Sequence, residues 1–177
     1  MGEGLQNTDE RMMTMFDAAA LLAGDERALA DAIDTLSDEL YRYAAGILLS
    51  AADASDAVQT AFVRLWMKRA SVRDASAVRA YLYRCTYRAC IDILRRNRLF
   101  VPMPRQECTR PLSDELTAAL KRLTPAERAI VYGRAVEEIP YAVLAEQLEM
   151  KEATVRKKYE RAKKKLAVIL SPEKEER

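Results

Sequence analysis

Residues 139–170 constrain the fold of this chain more than any other stretch, because their apolar residues recur at helical spacing in two short runs. Glu149 and Met150 interrupt the pattern between the runs. The stretch IPYAVLAEQLEMKEATVRKKYERAKKKLAVIL therefore predicts two helices joined by a tight turn, which is a helix-turn-helix. The residues that we expect to face inward are Tyr141, Leu144, Ala145, Leu148, Val155, Tyr159, Ala162 and Leu166.

The second of these helices is strongly cationic. Residues 151–165 hold eight Lys or Arg and two Glu, a balance that suits a helix lying between the phosphate rows of a DNA major groove. A solvated amphipathic helix is the alternative, although the short helix and turn before it favour DNA contact. At about 100° per residue, the residues that we expect to face outward are Ala153, Arg156, Lys157, Glu160, Arg161 and Lys164.

The chain of 177 residues is long enough for one or two domains, and its charge is unevenly divided. Residues 1–62 hold three Lys or Arg and twelve Asp or Glu, whereas residues 63–177 hold 26 and 15. The formal net charge of +2 therefore conceals an acidic front and a basic back. This asymmetry points to nucleic acid as the partner of the back half and to a protein partner for the front.

The residue types disfavour several functions. The chain has no His, and its three Cys, at positions 85, 90 and 108, form no CxxC pair, so a zinc site is unsupported. We expect Cys85 and Cys90 to be reduced and at least partly buried in a cytosolic protein. Without a His-based triad or a Gly-rich phosphate loop, catalysis is the weakest hypothesis and no cofactor is implied. No run approaches the length of a membrane span, so we expect no membrane insertion and a cytoplasmic location.

Helical patterns fill the front half of the chain. We expect residues 1–10 to be disordered and a short helix after them to end at Gly24. Asp25 is the expected N-cap of a second helix that ends near Leu36. Ser37 is expected to cap a third helix.

The helix predicted over residues 53–69 has an unusual outward face. With Ala54, Val58 and Leu65 inward, its outward arc carries Val63 and Met67 among acidic and amide side chains. Two large apolar side chains in such a place suggest contact with another protein. From spacing alone, another helix of the same domain is equally suited to cover them. The residues of this arc are Asp53, Asp56, Thr60, Val63 and Met67, with Gln59 at its edge.

The helix predicted over residues 77–99 places Tyr81, Arg84, Arg88 and Arg95 in a row at i, i+3, i+7 and i+14. Aromatic rings stack on unpaired bases and guanidinium groups hold the nucleic-acid backbone, so this row is a candidate platform for single-stranded DNA. A surface on which Arg stems cover the core fits the same spacing equally well.

A proline-containing segment divides the chain. Three prolines forbid a continuous helix across residues 99–112, which we interpret as a linker. The linker separates an N-terminal domain of residues 11–98 from a C-terminal domain of residues 113–170. We expect residues 171–177 to be a loose tail.

Thr124 begins the best-marked helix of the C-terminal domain. With Pro125 at the first helical position and Glu127 at the third, it predicts a capping box. A helix capped by Ser113 is expected before it. Pro140 then opens the first helix of the helix-turn-helix.

Several segments in the two halves together resemble one protein family. The front carries GDERAL at residues 24–29, DASDAVQTAFVRLW at 53–66 and AYLYRCTYRACIDILRR at 80–96. The back carries LTPAERAIVYGRAVEEIPYAVLAEQLEMKEATVRKKYERAKKKL at 123–166. In this order they resemble regions two and four of a bacterial RNA polymerase sigma factor of the extracytoplasmic function (ECF) type. The resemblance implies an all-α protein of two small helical domains joined by a linker.

The resemblance implies a partner for each face. In the family, the DAxDAVQ helix docks on the clamp helices of the RNA polymerase β′ subunit, so the outward arc would bind core polymerase. The loop over residues 69–78 and the helix after it would recognise and open the minus-10 element and capture a flipped base. The implied minus-10 residues are Arg73, Ser76, Tyr81, Arg84, Arg88 and Arg95. The implied minus-35 residues of the helix-turn-helix are Lys151, Ala153, Thr154, Arg156, Lys157, Glu160, Arg161 and Lys164.

The family also implies contact with the polymerase β subunit and regulation by an anti-sigma factor. Thr60 departs from the family pattern by standing where Glu is usual, and Arg88 stands where Asn is common. Glu149 replaces a frequent Gly in the turn, so we expect a turn geometry that tolerates a side chain. Glu160 is unusual on a DNA-facing surface, where its carboxylate would accept from a cytosine amino group.

Three functional hypotheses follow. The first is a sigma factor, not an enzyme, that binds core RNA polymerase and directs transcription initiation from minus-35 and minus-10 elements. The alternative is a polymerase-independent helix-turn-helix transcriptional regulator, which would bind duplex DNA tightly by itself. The third is a helical adaptor whose basic face binds acidic proteins.

Overall fold

A computed structural model describes residues 16–99 and 114–170 of the chain. These residues form α-helices and contain no strand, which agrees with the all-α prediction. The predicted N-terminal segment 1–10, the tail 171–177, Ser113, Cys108 and nearly all of the predicted linker lie outside the described residues. The helices are α1 Ala18–Ala23, α2 Glu26–Leu48, α3 Ala51–Lys68, α4 Val78–Leu99, α5 Asp114–Lys121, α6 Pro125–Ala135, α7 Tyr141–Gln147 and α8 Glu152–Leu170.

Side-chain caps begin two helices where the sequence predicts them. The Asp25 carboxylate accepts a hydrogen bond from the Arg27 amide at 2.8 Å, and Gly24 before it has a φ of 99°, which ends α1. At α6, the Thr124 hydroxyl accepts from the Glu127 amide at 3.2 Å, and the Glu127 carboxylate accepts from the Thr124 amide at 2.8 Å. The capping box is therefore confirmed.

The predicted helix break at Ser37 is wrong, because α2 continues through this residue for 23 residues in all. Leu36 and Leu40 are both buried and lie four residues apart, on one face of the helix. The same stripe begins at Ala28 and continues to Ile47. Since the apolar face is uninterrupted, core packing outweighs the weak preference of a serine for a helix start.

Helices α2, α3 and α4 pack together to form the core of the N-terminal domain, residues 16–99. Ala54, Val58 and Leu65 of α3 are buried as predicted. Cys85 and Cys90 of α4 are buried, free thiols, which confirms the prediction for both. Burial raises the pKa of Cys90 to about 12, so this thiol stays protonated and unreactive at neutral pH.

Helices α5 to α8 form the C-terminal domain, residues 114–170. Gly133 of α6 allows the close approach of α7, because a Cβ there would lie 2.7 Å from Leu144 Cδ2. Lys165 of α8 donates to the Glu127 carboxylate at 2.7 Å, which ties α8 to the start of α6. Burial opposes the charge of Glu127, but hydrogen bonds from Lys165 and Thr124 outweigh it and lower the pKa of this carboxyl.

The two domains pack against each other through α2 and α6. Arg128 is 8% exposed, and its Nε donates to the Ile47 carbonyl at 2.7 Å while its Nη1 donates to the Leu123 carbonyl at 2.9 Å. Tyr132 lies over Gly46, where a Cβ would come within 2.9 Å of the ring. A second contact joins α4 to α7, so the helix-turn-helix lies beside the last helix of the N-terminal domain.

A charged cluster lies at the edge of this interface. Glu39 of α2 accepts from Arg79 Nη2 at 2.7 Å and from the Tyr83 hydroxyl. Glu137, in the loop after α6, faces the same cluster. Burial and then the charge of Glu39 raise the pKa of Glu137, and Arg42, Arg79 and the Tyr83 hydroxyl offset this only in part.

Replacing Glu137 by Gln is expected to raise the melting temperature at neutral pH. Because the pKa of Glu137 is raised in the docked protein, the docked form binds a proton more tightly than the unfolded form does. The ionised carboxylate therefore opposes folding at neutral pH, and this opposition is lost as the pH falls through the raised pKa. Thermal unfolding from about pH 7 down to about pH 4.5, near the ordinary Glu pKa, should show a gain for E137Q that shrinks on acidification.

The matched control is Glu138→Gln, which removes the same charge from the next residue, an exposed one. Its melting temperature should follow that of the wild type across the same pH range. Equal gains for both variants, or a gain for E137Q that grows on acidification, would contradict the assignment.

Candidate nucleic-acid and partner interfaces

The outward arc of α3 is exposed and partly apolar. Val63 and Met67 are 57% and 74% exposed, so no described helix covers them, and contact with a protein partner becomes the favoured alternative. The other residues of the arc are half-buried at Asp53 and Thr60 and exposed at Asp56 and Gln59. The arc thus combines carboxylate, amide and apolar groups on one side of one rigid helix.

The loop between α3 and α4 consists of two 3₁₀ turns and is organised around Asp74. The Asp74 carboxylate accepts from the Ala77 amide at 3.1 Å and from the Ser76 hydroxyl, and the Ser76 bond is the largest cause that lowers the pKa of Asp74. Val72 is 8% exposed and anchors the loop in the core. The Arg73 side chain is 79% exposed, so the loop presents this cation to solvent.

A groove of about 360 Å³ lies between this loop, α4 and α7. Tyr81 forms part of its floor, and the Arg84 guanidinium lies 5.2 Å from the centre of that ring. Gln147 of α7 lies in the opposite wall, where its Oε1 is buried and accepts no hydrogen bond from the described residues. The predicted minus-10 residues that line this groove are Arg73, Ser76, Tyr81 and Arg84.

A second groove, of about 620 Å³, lies on the other side of Tyr81 and also contains Arg88 and Arg95. The predicted minus-10 set is therefore divided between two grooves that share one aromatic ring. Arg64 and Lys68 of α3 line the second groove as well, and the sequence interpretation missed both. Their spacing of four residues on the flank of α3 is the signal that would have found them.

Asp92 organises the cations of the second groove. Its carboxylate accepts from Arg64 Nη2 at 3.1 Å, and its other oxygen lies 3.9 Å from Arg95 Nη1. One carboxylate thus orients two guanidinium groups, one from α3 and one from α4. The groove nevertheless keeps an excess of positive charge, because Lys68 and Arg88 also line it.

Arg88 forms an ion pair with Glu149, which lies in the turn between α7 and α8. Glu149 has a φ of 55°, the left-handed region that glycine favours. The expectation of a turn geometry suited to a side chain is therefore wrong. The turn keeps the conformation typical of glycine, at a cost of roughly 1 kcal/mol for a residue with a Cβ.

The outward face of α8 and the residue before it agree with the spacing argument. Val155 and Ala162 are buried, and Tyr159 and Leu166 are half-buried. All eight residues of the minus-35 set are exposed: Lys151, Ala153, Thr154, Arg156, Lys157, Glu160, Arg161 and Lys164. The structure therefore presents a continuous and mainly cationic surface along α8.

Arg156 is held in place on this surface by its neighbours. Its Nε and Nη2 donate to Glu152 Oε1 at 2.9 and 2.6 Å, and its guanidinium lies 4.6 Å from the centre of the Tyr141 ring. Tyr141 is in turn packed edge-on against Tyr159, with ring centres 5.8 Å apart. An oriented guanidinium loses less conformational freedom when it binds a flat, bidentate acceptor.

Within the described ranges 16–99 and 114–170, Cys, Asp and Glu nowhere form a group suited to holding a metal ion. The helices of the same ranges include none with the length and apolar character required to cross a membrane.

Comparison with known families assigns both domains. Residues 32–100 match Sigma-70 region 2, and residues 113–166 match Sigma-70, region 4. The ECF RNA polymerase sigma factor SigM of Mycobacterium tuberculosis, in strains Erdman and H37Rv, is 30% identical over 161 residues, which span 86% of this chain and 82% of SigM. The chain belongs to the ECF sigma factor family.

Solved structures show the same fold. CnrH in complex with the cytosolic domain of CnrY gives a TM-score of 0.69 at 23% identity, over 88% of this chain and 96% of CnrH. The sigma factor RpoE of Bartonella quintana, in complex with the anti-sigma factor NepR, gives 0.68 at 18% identity, over 82% and 98% of the two chains. The predicted architecture of two small helical domains is confirmed.

As an ECF sigma factor, the protein directs transcription initiation, as the first hypothesis from the sequence states. A regulator that acts without polymerase is not favoured. The assignment of individual residues to polymerase, the minus-10 element and the minus-35 element stays a prediction.

Proposed function

We propose that this sigma factor binds core RNA polymerase through the outward arc of α3 and promoter DNA through the two grooves of α4 and the outward face of α8. The observation that carries the proposal is that one face of α3 exposes apolar side chains, whereas the grooves beside Tyr81 and the outward face of α8 are mainly cationic. The protein acts as a specificity subunit and not as an enzyme. It works in the cytoplasm, where polymerase and promoters are found.

The arc of α3 suits a helical partner such as the clamp helices of the β′ subunit. Val63 and Met67 supply apolar area, and Gln59 and Asp56 supply polar contacts about one and two turns before Val63 on the same side of the helix. A central apolar contact with polar groups at its rim is the usual organisation of a protein interface. Thr60 lies inside this arc at the position where Glu is usual in the family. The contact of this protein therefore has one negative charge fewer.

The two grooves beside Tyr81 suit unpaired bases of the minus-10 element. The ring they share offers a stacking surface, and Arg84 lies against it. Arg64 and Lys68 extend the cationic surface beyond the residues that the sequence predicts, from α4 onto α3. We assign these two side chains to backbone phosphates, because they carry charge but no aromatic group.

The outward face of α8 suits the major groove of the minus-35 element. Lys157, Arg161 and Lys164 are exposed cations along one side of the helix and would contact phosphates. Arg156, already oriented by Glu152, would donate to a guanine edge. Glu160 would accept from a cytosine amino group on the same face.

Regulation by an anti-sigma factor completes the proposal. RpoE of Bartonella quintana is solved with the anti-sigma factor NepR, and CnrH with the cytosolic domain of CnrY. A partner of this kind would have to cover the polymerase-facing arc or the DNA-facing surfaces.

The direct test of the function is transcription by purified core RNA polymerase on genomic fragments, with and without this protein. We expect new start sites whose upstream sequences share a common motif at the minus-10 and minus-35 positions. The proposal would be wrong if initiation with this protein did not exceed initiation by core enzyme alone.

Replacing Met67 by Asp is expected to weaken co-purification with core polymerase, because it places a charge in the apolar part of the proposed contact. The matched control is Ile33→Asp, which adds the same charge at another exposed apolar residue of the same domain, 37% exposed. We expect I33D to bind like the wild type. Equal losses for the two variants would assign the effect to added charge and not to the arc of α3.

Replacing Arg156 by Ala should cost about 1 to 3 kcal/mol of promoter affinity, the usual range for a bidentate guanine contact. The loss should be concentrated at one base pair of the minus-35 element when holoenzyme is titrated against a panel of single-base promoter variants. Lys164→Ala is the comparison, because loss of a phosphate contact weakens all promoters nearly uniformly. An unchanged profile for R156A would exclude Arg156 from base recognition.

A further inference from the structure

Arg88 makes contacts with both domains in this structure. It lines the second groove beside Tyr81, and it is paired with the carboxylate of Glu149 from the other domain. The groove around it carries three further cations, from Arg64, Lys68 and Arg95, against the single carboxylate of Asp92. Such a groove attracts anions, and in this structure the Glu149 carboxylate of the same chain is paired with its Arg88.

A second carboxylate, three residues before Glu149, lies in the same region. Glu146, at the end of α7, lies in the wall of the first groove, which contains Arg73 and Arg84. Two acidic residues three positions apart thus face the two basic grooves on either side of Tyr81. A single strand of DNA crossing that ring would bring phosphates to the same two grooves.

We propose that the Glu149 carboxylate occupies the position of a DNA phosphate on Arg88, so that the turn of the helix-turn-helix and single-stranded promoter DNA compete for one guanidinium. The inference rests on the proposed assignment of Arg88 to the minus-10 strand. In the docked protein, α7 also forms one wall of the first groove, where Gln147 Oε1 accepts no hydrogen bond from the residues that the structure describes. Separation of α7 from α4 opens the first groove and releases Arg88.

The backbone conformation of the turn supports a functional role for the Glu149 side chain. Glu149 is held at a φ of 55°, where a glycine would be unstrained. Glu138 has nearly the same backbone, with a φ of 52°, in the same domain. It is exposed, and no ion pair of its side chain is found among the described residues. The chain therefore contains its own matched control for a Glu-to-Gly substitution.

The test is fluorescence anisotropy of a labelled oligothymidylate of about twelve nucleotides, long enough to span a typical single-strand binding site, with the full-length protein at low salt. Glu149→Gly should bind the strand about two- to fivefold more tightly than the wild type, the range expected from an exposed ion pair. Glu149→Asn should show the same gain, because Asn also tolerates the left-handed backbone. Glu138→Gly removes the same charge and should bind like the wild type.

The decisive comparison is made in the Arg88→Ala background, where Glu149→Gly should give no gain, because its target is absent. The proposal is overturned if E149G and E149N bind like the wild type, if E138G gains equally, or if the gain persists without Arg88. No measurable strand binding by any variant also overturns it.

The proposed function is tested separately by initiation with core polymerase and wild-type protein. If the wild-type protein supports initiation but Glu149→Gly gives no Arg88-dependent gain in strand binding, the proposal that Glu149 occupies a phosphate position fails and the proposed function stands. If Glu149→Gly gives an Arg88-dependent gain in strand binding but the wild-type protein supports no initiation, the proposed function fails. The competition between Glu149 and DNA for the Arg88 guanidinium then stands.

Discussion

The Arg128 guanidinium completes the hydrogen bonding of two helix ends that belong to different domains. The last carbonyls of a helix lack partners within it and carry the negative end of its dipole. Ile47 in the last turn of α2 and Leu123 after α5 offer such carbonyls, and both accept from Arg128. Since Arg128 is nearly fully buried, loss of its guanidinium would leave buried acceptors unpaired. The placement of α6, and with it that of α7 and α8, depends on this contact.

The consequences of that placement differ between the three proposed surfaces. The arc of α3 keeps Val63 and Met67 exposed, and the outward face of α8 keeps Arg156 and Arg161 exposed. By contrast, α7 forms one wall of the first groove beside Tyr81, and Glu149 is paired with Arg88 of the second groove. On these assignments the docked protein presents its polymerase-facing and minus-35-facing surfaces, while its minus-10 surface is partly covered. Docking therefore leaves the first two surfaces open and obstructs only the third, through α7 and Glu149.

Local patterns in the sequence predicted the features that depend on neighbouring residues. Helical spacing was sufficient to place Val63 on the outward face of α3, but only the structure shows that no described helix covers it. Capping chemistry was sufficient for the start of α6 at Thr124. The break predicted at Ser37 failed because the apolar face on either side of it is continuous, and packing of that face decides the helix length. The pairing of Arg88 with Glu149 joins residues 61 positions apart. It depends on how the two domains dock, and no local pattern contains that information.

The contacts between the domains also differ in strength, and the difference bears on how docking is reversed. The Arg88 and Glu149 side chains are 52% and 57% exposed, so salt and water screen their attraction and its contribution is small. The contact of Arg128 with Ile47 is buried, and unpaired groups there would be costly. A DNA strand can therefore displace Glu149 from Arg88 at little cost. Separation of α6 from α2, which would leave those groups unpaired, therefore costs more than breaking the ion pair between Arg88 and Glu149.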